Sequence, residues 1–79
     1  MSKIVPVDTI ANRIKIAMKE RDLRAVDIVE RTGIPKGSMS QYITGYVEPK
    51  TDKLYRIAEA LSVDPVWLMG LDVPMEKML

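Results

Sequence analysis

The chain has 79 residues, with 12 Lys or Arg against 11 Asp or Glu and a formal net charge of +1. It has no Cys and no His, which excludes disulfides, thiolate nucleophiles, the usual zinc ligands and the commonest general base together. At this length one domain is expected, and a 47% hydrophobic content argues for a packed core rather than disorder.

The charge is unevenly spread. Residues 1–53 hold ten basic and seven acidic side chains, an excess of +3, whereas residues 54–79 hold two basic and four acidic ones. The basic excess therefore lies in the first two-thirds. No stretch approaches the ~18 apolar residues of a membrane span. The start "MSKIVPVD" is too short and too interrupted in its apolar run for a signal peptide. A soluble, cytoplasmic protein is expected, and the lack of Cys is compatible with a reducing compartment.

In "VDTIANRIKIAMKERDL", Ile10, Ile14, Ala17 and Met18 recur at helical spacing. This predicts a first helix over 9–21, with Asp8 as its N-cap and Leu23 turned back to the core. "RAVDIVERTG" predicts a short second helix over 25–32, with Ala25, Ile28 and Val29 inward and Gly33 as a left-handed stop. "GIPKGSMSQYITG" predicts a third over 35–44, opened by Pro35 in its first turn and ended by Gly45. Pro49 in the loop "YVEP" blocks its continuation. "KTDKLYRIAEALSV" places Leu54, Ile57, Ala58 and Leu61 on one edge of a fourth helix. "DPVWLMG" is a compact fifth, with Asp64 capping, Pro65 first and Gly70 last. The lone Trp67 is expected to pack this helix onto the bundle. The tail "LDVPMEKML" has no clear period, and no strand with a partner or internal repeat is evident. The expected fold is all-α, a compact five-helix bundle.

Two short helices joined by a tight Gly-containing turn describe a helix-turn-helix, whose second helix offers base edges its N-terminal residues. With Met39, Tyr42 and Ile43 inward, Lys36 and Ser40 form one outward row that Thr44 extends, and Gly37 and Gln41 form the next. Gln matches the donor and acceptor of adenine, Lys donates to guanine, and Ser does either. Gly37 lets a backbone come close. The third helix carries no acidic residue, which suits a phosphate-coated neighbour. Ser, Gly and Gln also occur on ordinary polar surfaces, so the helix order must carry part of the reading.

The segments "RIKIAMKERDL", "AVDIVERTGIPKGSMSQYITG" and "EPKTDKLYRIAEALSVDPVWL" resemble the phage repressor and Cro-type helix-turn-helix (XRE) family over residues 10–69. The resemblance implies a lambda-repressor-like DNA-binding domain of a transcriptional repressor, similar to the N-terminal domain of temperate-phage repressors. It would work in the cytoplasm of a bacterial or phage-infected cell. It implies an arm over 1–8, the binding domain over 9–70, and a tail or linker start over 71–79. Many members carry a second domain that drives dimerisation, so the chain is either a piece of such a protein or a complete small regulator. The implied partners are a double-stranded DNA operator and a second copy, with no membrane, metal or cofactor.

Carried over by position, the base-reading residues are Lys36, Gly37, Ser40 and Gln41, and the phosphate-contacting ones are Ser38, Thr44, Tyr46, Lys50 and Lys53. Where helix 2 of the family often starts with a phosphate-touching Gln, this chain has Ala25, and Arg24 is the expected substitute. Arg13 and Lys15 are weaker candidates, expected to be solvated. Several members pair an Arg late in helix 1 with a Glu late in helix 3. Here those positions are Met18 and Ile43, a joint apolar replacement expected to meet in the core.

The alternative function on this fold is a protein-interaction module such as an antitoxin or adaptor. An enzyme is not expected. Asp27 and Glu30 lie one turn apart, but no nucleophile–base constellation accompanies them.

Overall fold

The computed structural model of the protein describes residues 6–76. In chain order the elements are α1 (Ile10–Arg21), α2 (Ala25–Thr32), α3 (Lys36–Thr44), α4 (Thr51–Leu61) and α5 (Pro65–Leu68). No strand occurs among the described residues. The all-α, five-helix architecture is the one the periodicity predicts. Lys3 of the arm and tail residues 77–79 lie outside the described residues.

Two helix starts differ by one residue from expectation. Thr9, not Asp8, caps α1: its side chain accepts from the Asn12 backbone N–H at 3.1 Å. Asp8 stands one position out and accepts from the Thr9 backbone N–H at 2.8 Å and from Asn12 Nδ2 at 3.0 Å. Pro35 is the N-cap of α3 rather than a residue of its first turn, with ψ of 145°. Asp64 and Pro65 behave as expected: the Asp64 carboxylate accepts from the Val66 backbone N–H at 2.7 Å, and Pro65 is the first residue of α5.

Two helices end on a left-handed residue that is not glycine. Asp22 and Ser62 take left-handed φ values of 55° and 57° at the ends of α1 and α4. Each is followed by an apolar residue whose N–H reaches back into the helix: Leu23 donates to Met18 O at 2.9 Å, and Val63 donates to Ala58 O at 3.0 Å. Val63 is fully buried and Leu23 packs against the core. Burial of the following side chain thus offsets the cost of a left-handed, non-glycine residue.

The core gathers Ile14 and Ala17 of α1, Ile28 of α2, Met39 of α3, the inner edge of α4, and Trp67 and Leu68 of α5. α4 packs on α1, α2 and α5, and α3 packs on α1 and α2. Leu54, Ile57, Ala58, Ala60 and Leu61 of α4 are all buried. α4 is the element the bundle closes around.

Arg13 corrects the expectation of a solvated side chain. It is only 8% exposed. Its guanidinium lies 4.6 Å from the centre of the Trp67 ring, Nη1 donates to the Trp67 carbonyl at 3.3 Å, and Nε donates to Asp8 Oδ2 at 3.3 Å. One cation therefore joins α1, α5 and the start of the chain. The described segments before α1 and after α5 are tied in as well. Val7 N–H donates to Gly70 O at 2.8 Å and Asp64 N–H to Met75 O at 2.8 Å. Arg21 donates to the Leu61 and Ser62 carbonyls and pairs with Glu76 at 3.0 Å.

Removing the Arg13 head group leaves the Trp67 carbonyl with only the Gly70 N–H, at 2.9 Å, and takes one donor from the Asp8 carboxylate. Arg13→Ala is expected to cost about 1–3 kcal/mol in urea unfolding. The Asp8 carboxyl is held below its ordinary value of 3.8, first by the Asn12 side chain and then by the Thr9 backbone N–H, with Arg13 adding to both. Its folded pKa is depressed, so its contribution is complete above pH 3.8 and fades as the pH falls through the lower folded value. The urea-midpoint gap between wild type and Asp8→Ala is therefore expected to be widest near neutrality and to shrink below pH 3.8.

Candidate nucleic-acid interface

The turn between α2 and α3 is tied from within. Gly33, at φ 75°, sends its N–H to Val29 O at 2.8 Å. Thr32 Oγ1 donates to Ile28 O at 2.8 Å and accepts from the Ile34 backbone N–H at 3.1 Å. Ile34 is buried beneath. The angle between α2 and α3 thus rests on a left-handed glycine, a hydroxyl bridge and one apolar plug.

On α3 the fully buried side chain is Met39, and Tyr42 and Ile43 pack half-buried against the core. Lys36, Gly37, Ser40, Gln41 and Thr44 are all exposed. The first-turn N–H groups of a helix have no intrahelical acceptor, and Pro35 supplies no side-chain cap for them here. A Cβ added at Gly37 would meet nothing within 4 Å. Packing inside the molecule gives no reason for glycine there.

Around this face lie the phosphate candidates, in differing states. Tyr46 is 81% exposed, and Lys50 is the exposed N-cap of α4. Arg24, the N-cap of α2, is exposed but has an intramolecular partner, with Nε 3.5 Å from Asp27 Oδ2. The Arg24 backbone N–H also donates to that carboxylate, at 2.8 Å, and holds its pKa below the ordinary range. Lys53 is half-buried with Nζ 3.6 Å from Asp52, and Ser38 is half-buried. Lys15 is exposed and lines, with Thr44 and Glu48, a cleft between α1 and the loop after α3.

Three of the four arginines in the first 31 residues serve the fold. Besides Arg13 and Arg21, Arg31 donates to the Ala60 carbonyl at 3.0 Å. Only Arg24 stays on the helix-turn-helix surface, so the basic excess read from the sequence overstates the charge free for a partner. Ala25, expected on the inward side of α2, is exposed at its first turn, ahead of the inward pair Ile28 and Val29, and Val26 beside it is the residue sequence reasoning missed. It is apolar, 48% exposed, and one position outside the inward edge of α2, which is the signal that marks it. Met18 and Ile43 are half-buried against the core.

Comparisons with known proteins bear on the family and the fold. A helix-turn-helix family model matches residues 14–68. The transcriptional regulator PrtR of Pseudomonas aeruginosa, itself of helix-turn-helix type, is 38% identical over 64 residues. That match covers 81% of this chain, and the chain spans 25% of the length of the regulator. The solution structure of the DNA-binding domain of the P22 c2 repressor superposes with a TM-score of 0.77 at 20% identity, covering 92% of this chain and 96% of that one. At that identity the likeness is one of fold.

Because nothing in the fold requires Gly37, Gly37→Ala is expected to raise stability by about 0.5–1 kcal/mol in urea unfolding. Ile43→Glu alone is expected to cost about 1–3 kcal/mol by placing a carboxylate against the core. Adding Met18→Arg to Ile43→Glu should recover most of that loss, read as a coupling energy in a double-mutant cycle.

Proposed function

The chain belongs to the helix-turn-helix family, and from that premise we propose that it binds duplex DNA sequence-specifically, as a transcriptional repressor that lays α3 in the major groove. It is a regulator's binding domain, not an enzyme. The observation that carries the proposal is the outer face of α3. That face is polar, free of acidic groups and uncapped at its start, and it has a glycine that packing does not explain. The similarity to a transcriptional regulator of helix-turn-helix type supports it, and the shared fold of a repressor's DNA-binding domain is consistent with it.

In this reading Lys36 and Gln41 address base edges, Ser40 donates or accepts between them, and Gly37 lets the α3 backbone approach. Ser38, Thr44, Tyr46, Lys50, Lys53 and Arg24 hold sugar–phosphate and set register rather than sequence. Lys50 is the strongest of the cations, because Lys53 and Arg24 already have carboxylate partners. Reading is non-covalent and uses no cofactor. The operator is a pair of half-sites read by a homodimer, and joining two heads raises affinity through effective concentration. The protein works where the DNA is, in the cytoplasm of a bacterial or phage-infected cell. No helix among the described residues is long and apolar enough to cross a membrane.

The test is a binding selection on random duplex DNA at low and physiological salt, with wild type and Gln41→Ala in parallel. An enriched motif that the mutation alters is expected. No binding, or a motif indifferent to Gln41→Ala, overturns the assignment of α3 as reader. On the selected site, Lys36→Ala and Gln41→Ala are each expected to cost about 1–3 kcal/mol, confined to particular base pairs. Lys50→Ala should weaken all sequences alike and reduce the slope of log affinity against log salt by about 1.

A further inference from the structure

Between α2 and α3 runs a groove of about 360 Å³. Ala25, Val26, Val29 and Ile43 supply its apolar lining, and Lys36 and Ser40 its polar edge. Val26 is 48% exposed there, and no described segment of the chain covers it. A half-exposed valine at the start of a surface helix has no part in the core cluster. Its neighbours turn a lone apolar residue into a concave site.

Two features of the groove say what occupies it. Its edge is the outward row of α3: Lys36, Ser40 and Thr44 all line it. It therefore adjoins the base-reading face at Lys36 and Ser40 and its phosphate-contacting border at Thr44. It also has no acidic residue among its lining and one fixed cation, Lys36, which matches a polyanionic partner. On the major-groove edge of duplex DNA the apolar group is the 5-methyl of thymine.

We propose that this groove receives a thymine 5-methyl group of the operator, making Ala25 and Val26 of α2 specificity-determining residues beside those of α3. The inference rests on α3 reading DNA and adds a contact from the other helix. Val26 and Ile43 close on the methyl from opposite helices, while Lys36 at the edge addresses acceptors of a neighbouring pair. Cytosine at that position leaves the apolar lining facing a polar edge and is disfavoured.

The experiment uses duplexes of the selected site in which each thymidine is replaced singly by 2′-deoxyuridine, which removes only the methyl group. Wild type is expected to lose about fourfold in affinity at one position, the worth of one buried methyl. Val26→Ser and Ala25→Ser are expected to bind the thymine and uracil forms of that duplex alike. Each comparison is made within one variant, so a change in its overall affinity or folded fraction cancels. Indifference of wild type at every thymine, a selected site with no thymine, or a preference that survives in both variants overturns the groove assignment and leaves α3 readout standing. The last of these outcomes would leave the groove free for a protein partner. Failure of wild type to select any sequence overturns the α3 reading and the groove assignment together.

Discussion

Leu54, Ile57, Ala58 and Leu61 give α4 an apolar edge that is almost entirely withdrawn from water, and α1, α2 and α5 close around it. A chain of 79 residues has little apolar surface to spare, so this enclosure must be nearly complete for the fold to hold. Its consequence is the position of α3. That helix packs on α1 and α2 and contributes one fully buried side chain. Nine residues do not hold a helix alone in water. α3 therefore takes its conformation from its neighbours and from the tied turn at Gly33, and its outer residues are released from any duty to stability.

The arginines divide between fold and surface for a physical reason. A guanidinium offers a planar fork of donors and tolerates stacking on an aromatic ring. Arg13 uses both properties against Trp67 and Asp8. Arg21 and Arg31 place their forks on the carbonyls that end α4, where the helix dipole favours positive charge. Lys36 and Lys50 have no such role among the described contacts and remain exposed. Charge counted along the chain is thus a poor measure of the charge a partner meets.

The helix-turn-helix surface carries features that stability by itself would not select. Gly37 weakens α3 without filling a tight space, and Val26 leaves apolar surface in water. Both border the outward row of α3. Local choices that conflict with foldability are expected to cluster where a partner supplies the missing contacts.

Helix positions, the glycine stops at Gly33 and Gly45, and the inward side of each helix apart from Ala25 were legible in the sequence, because periodicity and capping are properties of a single helix. So was the exposure of Lys36, Gly37, Ser40 and Gln41, which follows from burying Met39. Contacts between elements were not legible. Arg13 shares the inward side of α1 with Ile10 and Ala17 while Lys15 lies opposite, but the Trp67 ring and carbonyl that seal Arg13 in are 54 positions away and left no local trace. Thr9 and Asp8 are both competent caps, and the draw of Arg13 on Asp8 accompanies the choice of Thr9. The left-handed ends at Asp22 and Ser62 depend on burial of the next side chain. The groove exists only because Val26 and Ile43, 17 positions apart, are brought onto facing helices. The sequence alone determined the helices and most of their inward edges. The tertiary structure decided which charges are spent inside and which apolar residues are left together outside, because burial is a property of the assembled bundle.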